Sequence, residues 1–183
     1  KATELSDALK KDQATVPADG LELLTYHDAY AYFATTYGWK VIGAVQRAST
    51  PESIAMCAAG TMPGALKLLW QPSQGGYHME YGYSCMGYEV AGALGLKLAR
   101  PDREVFCFVG DGSYMMANSE LATAVMRRVP FTVILTDNRG YGCINRLQQN
   151  CGGAAFNNMY VDSNIETQPQ IDFVAHAASM GAH

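Results

Sequence analysis

An acid between two glycines, where an apolar run empties into a turn, is the first chemistry the sequence offers. The stretch is FVGDGSYMM, Phe108 to Met116, and its acid is Asp111. A carboxylate at the mouth of a buried strand is costly unless something positive or hydrogen-bonding meets it. A second polar turn, TDNRGYG from Thr136 to Gly142, closes the next apolar run. Positions 113 to 136 between them accommodate one helix and one strand, so neighbouring parallel strands bring Asp111 and Asn138 to one sheet edge. Asp111 then offers a carboxylate oxygen, Asn138 its amide oxygen, and Gly140 a backbone carbonyl freed by the glycine turn. Hard oxygens of this kind suit Mg²⁺, which also takes phosphate oxygens from a bound ligand. Gly110 and Gly112 let the backbone approach such a ligand, and the amides from Ser113 onward face an anion. Tyr141 and Gly142 border the same turn. Alone, GDG is a weak signal, because acid-plus-glycine turns end many strands; the pairing with Asn138 is what adds weight.

The elements that must hold these turns read as alternating helices and strands. VIGAVQRA from Val41 is helical in period, SIAMCAAG is a short apolar run, and MPGALKLLW restarts a helix behind Pro63. YEVAGALGLKLARPD is a helix, REVFCFVG a buried strand, SELATAVMRRV a helix and PFTVILTDN a second buried strand. Such alternation predicts an α/β fold, a parallel β-sheet flanked by helices on both faces. Residues 1–38 read as a linker or lead-in segment and 39–183 as the domain. From Gln148 to Pro169 the composition turns polar and rich in Asn and Gly, as expected of a long loop ordered around a ligand. Ile171 to Met180 is helix-like, with no evident cap. Lys1 is not an initiator methionine, and the chain is expected to be a fragment of a longer one.

Composition bounds the partners. A formal net charge of −4 and 16% charged residues provide no basic field for nucleic acid or an anionic membrane surface. No stretch approaches the length of a membrane span, and KATELSDALKKDQ has no apolar signal core. The five cysteines lack CxxC spacing and fall partly within apolar runs, which points to a reducing, cytoplasmic location.

Through GDGS and the following DN, the chain resembles the thiamine-diphosphate-dependent enzymes, whose signature is GDG, a helix and strand, then two asparagines. Asp137 departs from it at the first asparagine; Asn138 keeps the second, which the family uses for its metal. By the same resemblance YGYSCMGYEVAGALGLKLARPDREV is the family's wedge turn and its following helix. Met86 is then the apolar wedge under the cofactor, and the Ser84 carbonyl accepts a hydrogen bond from its 4′-amino group, with Cys85 between them. WQPSQGGYHMEYGYSCMGYE, DNRGYGCINRLQ and GGAAFNN are similar, more narrowly, to the ring-opening hydrolases of myo-inositol breakdown. This resemblance covers about residues 41–183.

The resemblance implies thiamine diphosphate and Mg²⁺ as cofactors and a cyclic polyol diketone as substrate. A C–C bond between the two carbonyl carbons would be cleaved hydrolytically. It also implies an activating glutamate from a pyrimidine-binding domain that nothing in this sequence resembles, and a homo-oligomer. The isolated chain is therefore expected to hold the diphosphate and metal half of the site and to show no turnover. His78 and Glu80, just before the wedge turn, are candidates for facing substrate or relaying protons. Arg146 is a candidate for a phosphate or a product carboxylate. Two alternatives stay open: a decarboxylase or carboligase of the acetolactate synthase type, and a non-catalytic nucleotide-binding α/β module. The second lacks GxGxxG spacing.

Overall fold

The computed structural model describes residues 39–183, so the expected lead-in over 1–38 lies outside the described residues. In chain order the elements are α1 (Trp39–Ala48), β1 (Ile54–Cys57), α2 (Met62–Leu69), β2 (Tyr77–Met79), α3 (Tyr88–Ala99) and β3 (Val105–Gly110). They continue with α4 (Asp111–Met116), α5 (Glu120–Arg127), β4 (Thr132–Thr136), α6 (Gly142–Asn150), a 3₁₀ turn at Tyr160–Asp162, and α7 (Phe173–Ser179).

All pairings in the sheet are parallel and its order is β2-β1-β3-β4. β1 and β3 lie side by side at the centre, with Ile54 opposite Val105 and Met56 opposite Cys107. Continuous burial of both central strands explains their unbroken apolar runs. Alternate side chains of β3 divide between two cores. Val105, Cys107 and Val109 pack with Val90, Ala93, Tyr114 and Leu121 of α3, α4 and α5. Phe106 and Phe108 face the other way, onto Ile42 of α1, Leu66 of α2 and Trp70 just after it. Helices on both faces and a parallel sheet are what the alternating pattern implied.

After β1 the chain moves outward to β2, and after β3 it moves the opposite way to β4. The reversal leaves a crevice at the carboxyl ends of β1 and β3, where parallel α/β sheets receive ligands. Local signals set the helix ends that border it. Pro63 sits in the first turn of α2, where its missing N–H costs nothing. The last helix is capped at both ends, contrary to the expectation from its sequence. Asp172 accepts the Ala175 amide at 2.9 Å, and Ala182 N–H returns to the Ala177 carbonyl past Gly181. Among the described residues no helix is long and apolar enough to cross a membrane.

Candidate functional site

The crevice is bounded by three turns that leave β1, β3 and β4, together with the Met86 side chain. The first contributes Ala59 to Met62, the second Gly110 to Ser113, and the third Asn138 and Gly140 to Ile144. Residues from four stretches far apart in sequence, Gly60 to Met62, Met86, Gly110 to Ser113, and Asn138 with Gly140, thus meet at one sheet edge. His78, Glu80, Ser84 and Cys85 do not line the crevice. They lie beside it, on β2 and the turn that follows.

Asp111 opens α4 directly after the strand and is buried. Its Oδ2 accepts the Gly140 amide at 2.9 Å and its Oδ1 the Asn138 amide at 3.3 Å. Burial raises its pKa above the usual carboxylate value, and those amide bonds offset part of the rise. Above it, one terminal atom of the Asn138 amide lies 2.7 Å from the Gly140 carbonyl oxygen and 3.2 Å from Asp111 Oδ1. Both neighbours are acceptors. With its nitrogen there the amide donates to both; with its oxygen there three oxygens converge, and only a cation can satisfy them. Cis ligands of an octahedral Mg²⁺ are about 2.9 Å apart for bonds of about 2.1 Å, which the two observed separations bracket. The donor set fits Mg²⁺.

Gly140 holds this corner together. Its φ of +150° lies where side chains are rarely tolerated, and a Cβ there would reach within 2.8 Å of the Met159 Cα. It forms an isolated antiparallel bridge with Met159, while Tyr141 N–H donates to the Asn158 carbonyl at 2.7 Å. Part of the loop expected over Gln148 to Pro169 is therefore fastened by backbone bonds from within the chain. Asp137, the residue out of pattern, accepts the Arg139 amide at 2.9 Å and so stabilises the left-handed Arg139 at φ 65°. The Arg139 guanidinium ties the same loop down, on Pro169 O and Gln170 Oε1.

Ser113 borders the crevice, but its hydroxyl is committed elsewhere. It donates to the buried carboxylate of Glu89, 2.7 and 2.8 Å away, and accepts the Gly87 amide at 2.8 Å. Only its backbone amide remains for a ligand. Burial raises the Glu89 pKa, and the Ser113 bond offsets part of that. Sequence reasoning passed over Glu89, although an acid within YEVAGALGLKLA, on an otherwise apolar helix, was the signal. Glu80 accepts the Cys85 and Tyr83 amides at 2.8 and 3.2 Å, and these bonds lower its pKa. His78 Nε2 lies 3.1 Å from the Tyr88 hydroxyl, with the two rings stacked. The exposed Arg146 reaches across the crevice mouth to the Thr61 hydroxyl. Of the cysteines, Cys57 and Cys107 are buried, and burial pushes the Cys57 thiol up to about 11, so it packs as an inert hydrophobe.

Three oxygens able to hold a cation, beside a crevice at the switch point of a parallel sheet, suit a phosphorylated ligand, and the sequence comparison names the family. Residues 58–183 match the family described as thiamine pyrophosphate enzyme, C-terminal TPP binding domain, and the chain belongs to that family. Among curated relatives it is 55% identical over 107 residues to the 3D-(3,5/4)-trihydroxycyclohexane-1,2-dione hydrolase of Halalkalibacterium halodurans, covering 58% of this chain and 17% of that protein. It is 47% identical over 148 residues to the protein of the same name from Bacillus thuringiensis, covering 77% of this chain and 23% of that one. The chain thus spans about a fifth of the length of these relatives. The thiamine diphosphate-dependent 4-hydroxybenzoylformate decarboxylase of Rhodococcus jostii RHA1 shares the fold. Its TM-score is 0.66 at 23% identity, over 78% of this chain and 26% of that one.

Proposed function

We propose that residues 39–183 form the diphosphate- and metal-binding domain of a thiamine-diphosphate-dependent hydrolase. Its substrate is 3D-(3,5/4)-trihydroxycyclohexane-1,2-dione, opened to 5-deoxy-glucuronic acid in myo-inositol catabolism in the cytoplasm. The observation that carries the cofactor reading is the meeting of Asp111, Asn138 and the Gly140 carbonyl at the edge of the crevice. The relatives that bear the hydrolase name support the substrate.

In this reading Asp111, Asn138 and Gly140 O hold Mg²⁺, and the backbone amides of Gly112 and Ser113 meet the diphosphate oxygens. Met86 supplies the apolar wall, Gly110 the approach of the backbone, and Tyr141 and Gly142 the far rim. When bound, thiamine diphosphate supplies an electron sink for the pair of electrons released as a C–C bond beside a carbonyl breaks. His78, in contact with Tyr88, holds or moves a proton at Nε2. One water is consumed, one ring bond breaks, and both new ends stay on one product. A pyrimidine-binding domain, from the same chain or a neighbouring subunit of a homo-oligomer, completes the site. Tyr81 and Tyr83, exposed beside the crevice, are surfaces for it.

Calorimetry of the full-length protein with thiamine diphosphate, with and without Mg²⁺, tests the cofactor reading; metal-dependent binding is expected. Assays with the cyclic dione and with pyruvate test the chemistry. Turnover of pyruvate alone would replace the hydrolase with a decarboxylase or carboligase.

A further inference from the structure

The turn between β2 and α3 is held by two carboxylates, one from each side. Glu80, at the end of β2, takes the amides of Tyr83 and Cys85. Glu89, 2% exposed in the first turn of α3, takes the Gly87 amide at 3.0 Å and the Ser113 hydroxyl. Alternate amides at 83, 85 and 87 are thus all claimed by acids or by the serine that an acid orients.

Peptide planarity turns these bonds into a constraint on carbonyls. The described chain has no cis peptide, so each N–H points opposite to the carbonyl in its own peptide plane. Drawing the Cys85 N–H onto Glu80 drives the Ser84 carbonyl away from Glu80. Drawing the Gly87 N–H into the core drives the Met86 carbonyl outward. Ser84 needs such holding, because its φ of 54° is a left-handed conformation that is costly for a non-glycine residue. Gly87, at φ 89° and with Ala117 and Met116 close on the side where a Cβ would stand, ends the turn against α4. Through Ser113 the buried acid also fastens the turn to the helix that begins at Asp111.

We propose that Glu80 and Glu89 are positioning residues that aim the Ser84 carbonyl at the cofactor's 4′-amino group and fix the distance between that group and the metal corner. The proposal rests on the thiamine diphosphate reading. Neither acid touches the reacting atoms; both act through the turn.

The test compares two ligands in the full-length protein with Mg²⁺: thiamine diphosphate, and an analogue with hydrogen in place of the 4′-amino group. Glu80→Ala should weaken thiamine diphosphate about tenfold, the size of one lost hydrogen bond, and leave the analogue within about twofold. Glu80→Gln, which keeps one acceptor oxygen, should fall between. Glu89→Gln, which preserves volume in the core, should show the same preference in weaker form. Amide hydrogen exchange at Tyr83 and Cys85 should quicken in Glu80→Ala, a readout independent of any ligand. Equal losses for both ligands, or unchanged exchange, would overturn the clamp while leaving the cofactor reading intact. Failure of the wild-type protein to bind thiamine diphosphate would overturn both.

Discussion

At the start of β3 the Arg103 guanidinium, 2% exposed, spreads over the carbonyls of Glu52, Gln74 and Gly75 and the Ser73 hydroxyl. At the end of the same strand the Asp111 carboxylate, 5% exposed, meets two amides and then a cluster in which further acceptors face one another. One buried charge has a single set of partners within the chain; the other has partners that depend on which way the Asn138 amide is turned. A buried cation surrounded by carbonyls needs nothing from outside, and its role is to close the loops below the sheet. A buried carboxylate beside an amide that can turn either its nitrogen or its oxygen toward it is a place that a cation can enter by reversing that amide. The difference separates scaffold from site without reference to any relative.

The comparison breaks first at Arg103. Arg103→Ala should strip donors from several carbonyls and cost about 3 kcal/mol in denaturant titrations, with metal affinity unchanged in the folded fraction. A loss below about 1 kcal/mol would mean that water replaces the guanidinium, and the two ends would no longer differ.

Gly140→Ala comes next. The new Cβ meets the Asn158 carbonyl and the Met159 backbone, which cannot yield as a flexible side chain would. A stability loss of about 2 kcal/mol is expected, together with weaker Mg²⁺ binding as the Gly140 carbonyl shifts. Loss of stability with full metal affinity would remove that carbonyl from the ligand set.

The smallest effect concerns Glu89. Burial raises its pKa above the ordinary value of 4.5, so the folded state binds its proton more tightly than the unfolded state does. Its contribution to stability is present at low pH and is lost as pH rises from the ordinary carboxylate range through the raised value. Glu89→Gln should flatten that fall in urea titrations between about pH 4 and 7. Asp111, shifted the same way, should leave a residual slope. An unchanged slope would show that Glu89 does not titrate in this window.

Much of this was legible in the sequence, for physical reasons that vary by element. β1 and β3 are buried on both faces, so their apolar runs admit one reading, and the turn after β3 shows its acid between glycines. β2 was not foreseen, because Tyr77–Met79 is three residues long and only half-buried. The two-carboxylate turn was equally hidden. Glu80 reads as facing substrate or relaying protons until the structure shows both its oxygens bound to amides, and Glu89 takes no role until its burial is known. That the hydroxyl of Ser113 faces Glu89 was hidden too, since side-chain direction at a helix start is set by packing that no local pattern encodes.

The most direct test of the metal corner is a Mn²⁺ titration of the full-length protein in the presence of thiamine diphosphate, followed by electron paramagnetic resonance, for wild type, Asp111→Ala and Asn138→Ala. Each substitution should weaken the cation at least about a hundredfold, with the fold retained. Wild-type affinity in both variants would contradict the account, because the three oxygens at the end of β3 and in the turn after β4 would then hold no metal.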